Sequence, residues 1–275
     1  MENRRPPVVA SVFGGNLGDT LWTTPLSRYV GDRGLIVQMR KGDAKAMATA
    51  PILRGLARVE WVDSPKDTPR TTQKVHVTQQ ILGHYGYAGL ASIPRVRLDE
   101  AEIFGAIKFL KSKGLDPART IAMVNQNSAS ADPGNFRAQY VRPPSDVIKT
   151  LARFWGGGQY KIAQFGPDPK YYTYDPFDPI PNAVHIRGLT VRQLASVYHV
   201  IGKLISGDTG DYHLMLAVGG KAACLVPPDS TNMGYLHSEL LYDKVCWGDE
   251  RPRVCYALHQ NWIHFMDTKL FDRLS

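Results

Sequence analysis

The chain has 275 residues, of which 43% are hydrophobic and 21% are charged, a composition typical of soluble globular proteins. No apolar run approaches the roughly 20 residues that a membrane-spanning helix needs, and the first residues do not resemble a signal peptide. Three cysteines without a Cys-x-x-Cys spacing favour a reducing compartment and argue against a structural zinc site.

The net charge of +8 is unevenly distributed. Residues 1–119 contain 18 Lys/Arg against 11 Asp/Glu, whereas residues 120–275 contain 15 against 14. A basic surface favours an anionic partner, such as nucleic acid, a phosphorylated saccharide or an acidic membrane surface. The alternative is that these residues only keep the protein in solution.

The first half opens with a strand, a glycine-rich loop, a helix and a second strand. Units of this length imply a parallel sheet. Pro25 is expected either in the first turns of the helix or at a kink.

A later helix, over residues 99–113, is predicted to bury Ile103, Phe104, Ile107 and Leu110 on one face. The predicted strands of this half are residues 8–13, 35–39, 59–62 and 75–77, and its first helix spans residues 17–30.

A second α/β series begins at Thr120, so the chain divides into residues 1–119 and 120–275. Two such halves that face each other leave a cleft at the carboxyl ends of their strands, where open α/β sheets bind ligands. Ser145 and Thr190 are predicted to cap helices. The predicted strands are residues 120–124, 160–165, 184–186, 203–206 and 222–226, and the predicted helices are residues 146–155, 191–200, 212–218 and 261–274.

The run from Leu204 to Gly220 combines an apolar strand, the turn Gly207-Asp-Thr-Gly210 and an apolar helix. Such a turn brings unpaired backbone N–H groups and the positive end of a helix dipole to one point, which suits a phosphate group. Asp208 and Thr209 are equally ordinary N-cap residues, and Gly210 is an ordinary turn residue. The turn is neither a Walker loop nor a Gly-x-Gly-x-x-Gly fingerprint.

Two motifs at opposite ends of the chain resemble those of the heptosyltransferase-like glycosyltransferases, glycosyltransferase family 9. The run Gly15-Asn-Leu-Gly-Asp-Thr-Leu-Trp-Thr-Thr-Pro25 resembles that family's Gly-Asp-x-Leu-x-[Ser/Thr]-x-Pro opening. Residues 188–195, 205–213 and 225–229 resemble its donor half, with Asp-[Ser/Thr]-Gly-x-x-His ahead of a small apolar helix.

The resemblance implies an α/β GT-B fold, with two Rossmann-like domains whose parallel sheets face each other across a cleft. Residues 1–119 would receive the acceptor, residues 120–275 would bind the nucleotide-sugar donor, and helix 261–274 would pack back on the first domain. It implies inverting transfer without a metal ion or cofactor, in the cytoplasm or peripheral to the inner membrane. The sequence itself has no Asp-x-Asp and no His/Cys cluster at ligand spacing.

The resemblance also assigns roles to residues. Asp19 matches the proposed general base, or it is a carboxylate that complements the helix dipole. His213 would reach the donor phosphates or would be a packed surface histidine, and Gly166 would lie near the nucleotide or in a plain turn. The other implied donor-binding residues are Ser206, Gly207, Asp208, Thr209 and Gly210. Arg137 or Arg142 would replace the cation of the family's Lys-x-Trp-Pro loop. The implied acceptor-binding residues are Gly15, Asn16, Gly18, Lys66, Arg70 and Lys74.

Several functions stay open at this point. The acceptor is either a lipopolysaccharide-core-like phosphorylated saccharide or, as for phage enzymes acting in a host cytoplasm, a hydroxymethylated base in DNA. DNA would require Lys66, Arg70 and Lys74 to contact phosphates, and the base to leave the stack. A sugar-nucleotide epimerase or a non-catalytic nucleotide-binding module would use a similar fold. A nicotinamide dehydrogenase is disfavoured, because residues 14–18 lack the fingerprint spacing.

Overall fold

The computed structural model describes residues 6–12, 16–65, 77–90, 93–124, 149, 152–153, 158, 160–168, 177–207 and 209–225. Within these residues the chain forms eight strands and six α-helices. The strands are β1 (Val8–Ser11), β2 (Leu35–Arg40), β3 (Arg58–Val62), β4 (Thr120–Val124), β5 (Lys161–Gly166), β6 (Val184–Arg187), β7 (Lys203–Gly207) and β8 (Lys221–Leu225). The helices are α1 (Leu17–Thr23), α2 (Ala44–Thr49), α3 (Val77–His84), α4 (Glu100–Ser112), α5 (Val191–Ile201) and α6 (Gly210–Ala217).

The strands form two parallel sheets, as the sequence predicts. The first sheet has the order β1-β2-β3, and the second has the order β6-β5-β4-β7-β8. In the second sheet the chain adds β5 and β6 on one side of β4 and then returns to add β7 and β8 on the other. The order therefore reverses between β4 and β7. Ligands of open α/β sheets bind beyond the carboxyl ends of the strands at such a reversal.

Helix α6 is buried between the two halves. Its residues 212–217 are all buried, which explains why the sequence of this helix is apolar around its whole circumference. One side packs against β7 and β8 of the second sheet, and another packs against α1, the helix that follows β1 of the first sheet. The helix that follows the predicted phosphate-binding turn thus also joins the two halves.

The segment between the first sheet and α4 is hydrogen-bonded to both halves through consecutive residues. The backbone N–H of Arg95 donates to the Thr24 hydroxyl at 2.9 Å. The backbone N–H of Val96 donates to the carbonyl of Ala217, the last residue of α6, at 3.0 Å. Residues 95 and 96 therefore fasten the carboxyl-terminal end of α6 to the end of α1.

Most predicted strands and helices are confirmed, but the first helix is shorter than predicted. It ends at Thr23 and continues as the 3-10 turn Thr24–Arg28. Pro25 has no N–H to donate to the carbonyl four residues earlier, and that carbonyl, of Leu21, accepts instead from the Thr24 hydroxyl at 2.7 Å. The proline thus ends the α-helix without ending the helical path of the chain.

Three further expectations differ from the structure. Val77, predicted to end a strand, begins α3, while residues 75 and 76 lie outside the described residues. Helix α2 was not predicted; Asp43 caps it by accepting from the backbone N–H groups of Lys45 and Ala46. Phe104, expected on the buried face of α4, is 62% exposed, whereas Leu110 is buried as predicted, together with Ala106.

The remaining predictions fall partly beyond the described residues. Of the predicted helix 146–155, residues 149, 152 and 153 are described, and all three are helical. Ser145 and the predicted helix 261–274 lie outside. The predicted division of the chain after residue 119 stays a prediction.

Glu102 on α4 lies between two arginines from different parts of the chain. Arg192 on α5 donates to it through two nitrogens, Nε at 2.8 Å and Nη2. Arg54 follows the 3-10 turn Ala50–Leu53, and its Nη2 lies 2.8 Å from Glu102 Oε1, the oxygen that also accepts from Arg192 Nε. Burial alone would raise the pKa of Glu102, but the hydrogen bonds from Arg192 and Asp99 and the charges of both arginines lower it. The carboxylate is therefore held ionised where these segments meet.

We expect Glu102→Gln to lower the free energy of unfolding by about 3 kcal/mol at neutral pH, because it leaves the largely buried Arg192 without its counter-charge. The amide can still accept from the Asp99 N–H, so the helix cap is kept. The stabilisation from Glu102 is present above the pKa that a glutamate has in the unfolded chain and is lost as pH falls through the lower folded-state pKa. Urea unfolding at neutral and acid pH measures both effects.

The matched control is Arg54→Gln, because the Arg54 side chain is 57% exposed and its ion pairs are screened by water. We expect this change to cost less than about 1 kcal/mol. Equal costs for the two variants would show that burial of the Arg192 pair does not contribute to stability.

Candidate functional site

Helices α1 and α6 meet at their first turns. Gly210 is the first residue of α6, and a Cβ added there would lie only 2.9 Å from the Cβ of Leu17, the first residue of α1. Real Cβ atoms do not approach this closely. A Cβ on Gly18 would lie 3.6 Å from Cδ2 of His213, an ordinary contact. The absent side chain of Gly210 therefore permits the close approach of the two helices.

This contact brings two helix N-termini together, one from each half of the chain. Each N-terminus has backbone N–H groups without an intrahelical partner and about half a positive charge from the helix dipole. Thr209 is the N-cap of α6, in extended conformation, and its buried side chain makes no capping hydrogen bond. These groups form a site suited to an anion. It lies directly after β7, where the order of the second sheet reverses.

Asp19 lies at the same junction, in the first turn of α1, and is partly buried. Asn16 is the N-cap of α1, and its carbonyl accepts both the backbone N–H and the hydroxyl of Thr20, each at 3.0 Å. The structure therefore brings Asn16, Gly18 and Asp19, predicted for the acceptor, next to the α6 residues predicted for the donor. The roles of these residues stay predictions.

His213 packs across the contact between the halves and is only 2% exposed. Its ring meets the Trp22 ring of α1 edge to face at 5.6 Å and the neighbouring Tyr212 ring at 4.9 Å. It is therefore a buried residue and not a surface histidine. Its predicted contact with a phosphate group stays a prediction.

The other described donor-site candidates are strand residues. Ser206 is buried in β7, between β4 and β8, and Gly207 ends that strand. Gly166 ends β5, and the ring of Phe177 occupies the space that a side chain at this position would need. The guanidinium of Arg187 lies 4.5 Å above the centre of the same ring. This packing accounts for a glycine at 166, and its predicted position near the nucleotide stays a prediction.

Other parts of the predicted site are not described. Within the described residues, no group of three His, Cys, Asp or Glu side chains could hold a metal ion. No helix in the described part of the chain is long and apolar enough to cross a membrane. The candidates outside the described residues are Gly15, Lys66, Arg70, Lys74, Arg137, Arg142 and Asp208.

The structure adds a pair of residues that the sequence analysis did not single out. The Tyr198 hydroxyl on α5 donates to Asp211 Oδ1 in the first turn of α6 at 2.8 Å. Burial raises the pKa of Asp211, although the hydrogen bonds from Tyr198 and from its own backbone oppose the rise. Burial and Asp211 together raise the pKa of Tyr198 well above its usual value. An acidic residue in a first helical turn was the only local signal.

We expect Gly210→Ala to lower the free energy of unfolding by about 1–3 kcal/mol, because the new Cβ forces α1 and α6 apart. Gly18→Ala on the facing helix is the matched control: its Cβ fits, and alanine favours a helix over glycine by up to about 1 kcal/mol. Urea unfolding of both variants measures the difference. If Gly210→Ala lowers the free energy of unfolding no more than Gly18→Ala does, the contact tolerates a wider helix separation.

No protein-family model and no curated protein matches the sequence. Solved structures match over most of its length at low identity. A glycosyltransferase family 9 protein from Veillonella parvula DSM 2008 is 15% identical over 84% of each chain, with a TM-score of 0.61. The E. coli ADP-heptose LPS heptosyltransferase II is 11% identical over 83% of this chain and 88% of that one, with a TM-score of 0.50. The iron-containing dodecameric glycosyltransferase TibC from enterotoxigenic E. coli H10407 is 14% identical over 100% of this chain and 78% of that one, with a TM-score of 0.57. The predicted fold class is thereby confirmed: the chain has the parallel α/β GT-B fold of these glycosyltransferase structures.

Proposed function

We propose that the protein is a glycosyltransferase that moves a sugar from a nucleotide-sugar to a hydroxyl group of an anionic acceptor, with inversion and without a metal ion. One observation carries the proposal. The N-termini of α1 and α6, one from each half, meet at Leu17 and Gly210, and Asp19 lies in the first turn of α1. A transferase needs an anchor for the leaving diphosphate and a base for the acceptor, and this junction has a candidate for each.

The donor diphosphate is assigned to the N-terminus of α6. Backbone N–H groups and the Thr209 hydroxyl would stabilise the negative charge that grows on the leaving nucleotide. These donors are fixed before the reaction, because α6 is buried between the second sheet and α1. The likeness to an ADP-heptose heptosyltransferase supports an ADP-sugar as the first donor to test.

The proposed reaction is a single displacement at the anomeric carbon. The acceptor oxygen forms a bond to that carbon while the bond to the diphosphate oxygen breaks with its electron pair. Asp19 takes the proton of the acceptor hydroxyl. Attack from the side opposite the leaving group inverts the anomeric configuration.

The basic first half supports an anionic acceptor. Three arginines gather where this half joins α4: burial and the charges of Arg28 and Arg97 lower the pKa of Arg95. Such a cluster favours phosphate groups. We assign a phosphorylated saccharide as the acceptor, and DNA is the alternative that the same charge allows.

We expect Asp19→Asn to lower kcat at least about a hundredfold, the usual minimum contribution of a general base, because the amide cannot take up the acceptor proton. ADP-heptose should still stabilise the variant, by about 2.7 kcal/mol at a hundredfold excess over its dissociation constant. Turnover with ADP-heptose and a phosphorylated heptose-containing acceptor gives kcat, and thermal unfolding gives donor binding.

The control for this variant is Asp32→Asn, an exposed carboxylate in the 3-10 turn Gly31–Arg33 of the same half, which should change neither quantity. Full turnover of the Asp19 variant would remove Asp19 as the base. If no nucleotide-sugar stabilises the wild type, the transferase proposal is wrong.

The acceptor assignment predicts weak binding of a duplex containing hydroxymethylcytosine at low salt, with little change as salt rises. A protein that crosses six or more phosphates instead loses about a thousandfold or more in affinity between about 50 and 200 mM salt. Fluorescence anisotropy over that range separates the two cases. Tight binding with such a steep slope would assign DNA, and not a saccharide, as the acceptor.

A further inference from the structure

Helix α6 has a carboxylate in the turn that is proposed to hold the donor diphosphate. Asp211 is the second residue of the helix, immediately after Gly210. Most of its surroundings are protein: Tyr198 donates to Oδ1 at 2.8 Å, and the Tyr198 ring is itself fully buried against Phe165 at 5.1 Å. An ionised Asp211 would lie close to a bound diphosphate with little water between the two anions, and this repulsion would weaken donor binding.

The groups around Asp211 offer it hydrogen bonds but no balancing cation within the described residues. Tyr198 from α5 and its own backbone N–H are the hydrogen-bond donors that lower its pKa. From α1, the other helix packed on α6, the ionisable residue at this end is Asp19. His213 lies two residues further along α6.

The charged residues of the neighbouring elements lie elsewhere. Lys203 and Lys221 begin β7 and β8, at the ends of these strands remote from the N-terminus of α6. On α5, Arg192 is paired with Glu102, and His199 Nδ1 is bonded to the carbonyl of Val218, beyond the other end of α6. The positive charge near Asp211 therefore comes mainly from the helix dipole.

We infer that Asp211, held in place by Tyr198, couples donor binding to the uptake of a proton at the N-terminus of α6. The inference rests on the proposed function, because it takes α6 as the diphosphate anchor. Protonation removes the repulsion between the carboxylate and the donor, so donor and proton bind together. Asp211 is a positioning and affinity-tuning residue in this scheme; it does not react with the sugar.

Because the donor and a proton on Asp211 bind together, we expect donor affinity to depend on pH. Burial already raises the pKa of Asp211 in the free protein, and a bound diphosphate raises it further. Donor affinity is highest below the free-state pKa and falls as pH rises through the window between the two pKa values. If binding raises the pKa by about one unit, affinity falls about tenfold across that window.

The experiment is calorimetric titration of the full chain with ADP-heptose, whose diphosphate is a diester and does not itself titrate near neutral pH. Titrations in buffers of different ionisation enthalpy give the number of protons taken up, and a pH series gives the dissociation constant. The variants are Asp211→Asn, which keeps the shape of the carboxyl without its charge, and Tyr198→Phe, which keeps the ring packing. Asp32→Asn is the control, because it removes an exposed carboxylate that lies outside the proposed donor site.

We expect the wild type and the Asp32 variant to take up protons, and the Asp211 variant to bind at the acid-side affinity at every pH without proton uptake. Tyr198→Phe removes a hydrogen bond that lowers the pKa of Asp211, so it should move the window to higher pH; a merely structural role for Tyr198 would not move it. Proton uptake that persists in Asp211→Asn, or a wild type that binds without uptake, overturns the inference and leaves the proposed function intact. If ADP-heptose does not bind, the titrations are made with another nucleotide-sugar that stabilises the wild type, and absence of binding by every nucleotide-sugar contradicts the proposed function itself.

Discussion

The close approach of α1 and α6 at Gly210 is the constraint on which the rest of the site depends. Two helices can meet end to end at this distance only if one of them has no side chain at the contact. Their N-termini then face the same point, and the partial positive charges of both dipoles add. Such a junction is electrostatically unfavourable when it is empty and becomes favourable when an anion occupies it. The fold thus brings backbone groups that suit an anion to one point.

Helix α6 is also fixed at its carboxyl-terminal end, so more than one contact determines the geometry of the junction. The N–H of Val96 bonds to the last carbonyl of α6, and the preceding residue bonds to Thr24 beside α1. On the outer side, Glu102 joins α4 to α5 and to Arg54 of the first half. These bonds hold the two sheets in one relative position around α6. In an enzyme that must place donor and acceptor on opposite sides of one carbon, a fixed separation reduces the entropy cost of the reaction.

The sequence predicted the parallel sheets, nearly every described strand and the cap of α5, because these depend on local periodicity and on neighbouring residues such as Thr190 and Gln193. It did not predict the packing of Trp22 on His213, since nothing local relates side chains so far apart in the chain. The sequence also wrongly predicted that Phe104 is buried, again because packing between distant segments is not visible in local spacing. Helical spacing gives a stripe of apolar residues, but the packing partner, here α5, decides which part of that stripe is covered.

Asp211 shows why an acidic residue can be useful in an anion site. A turn with only amides and a hydroxyl would bind the product nucleotide, which has gained a negative charge, more tightly than the donor diphosphate. Product release then limits turnover in many enzymes. A carboxylate that shares the site weakens both complexes, and it does so most when it is ionised. Because Tyr198 opposes the effect of burial on the pKa of that carboxyl, the pair would, in the proposed scheme, set how tightly α6 binds the donor phosphates at a given pH.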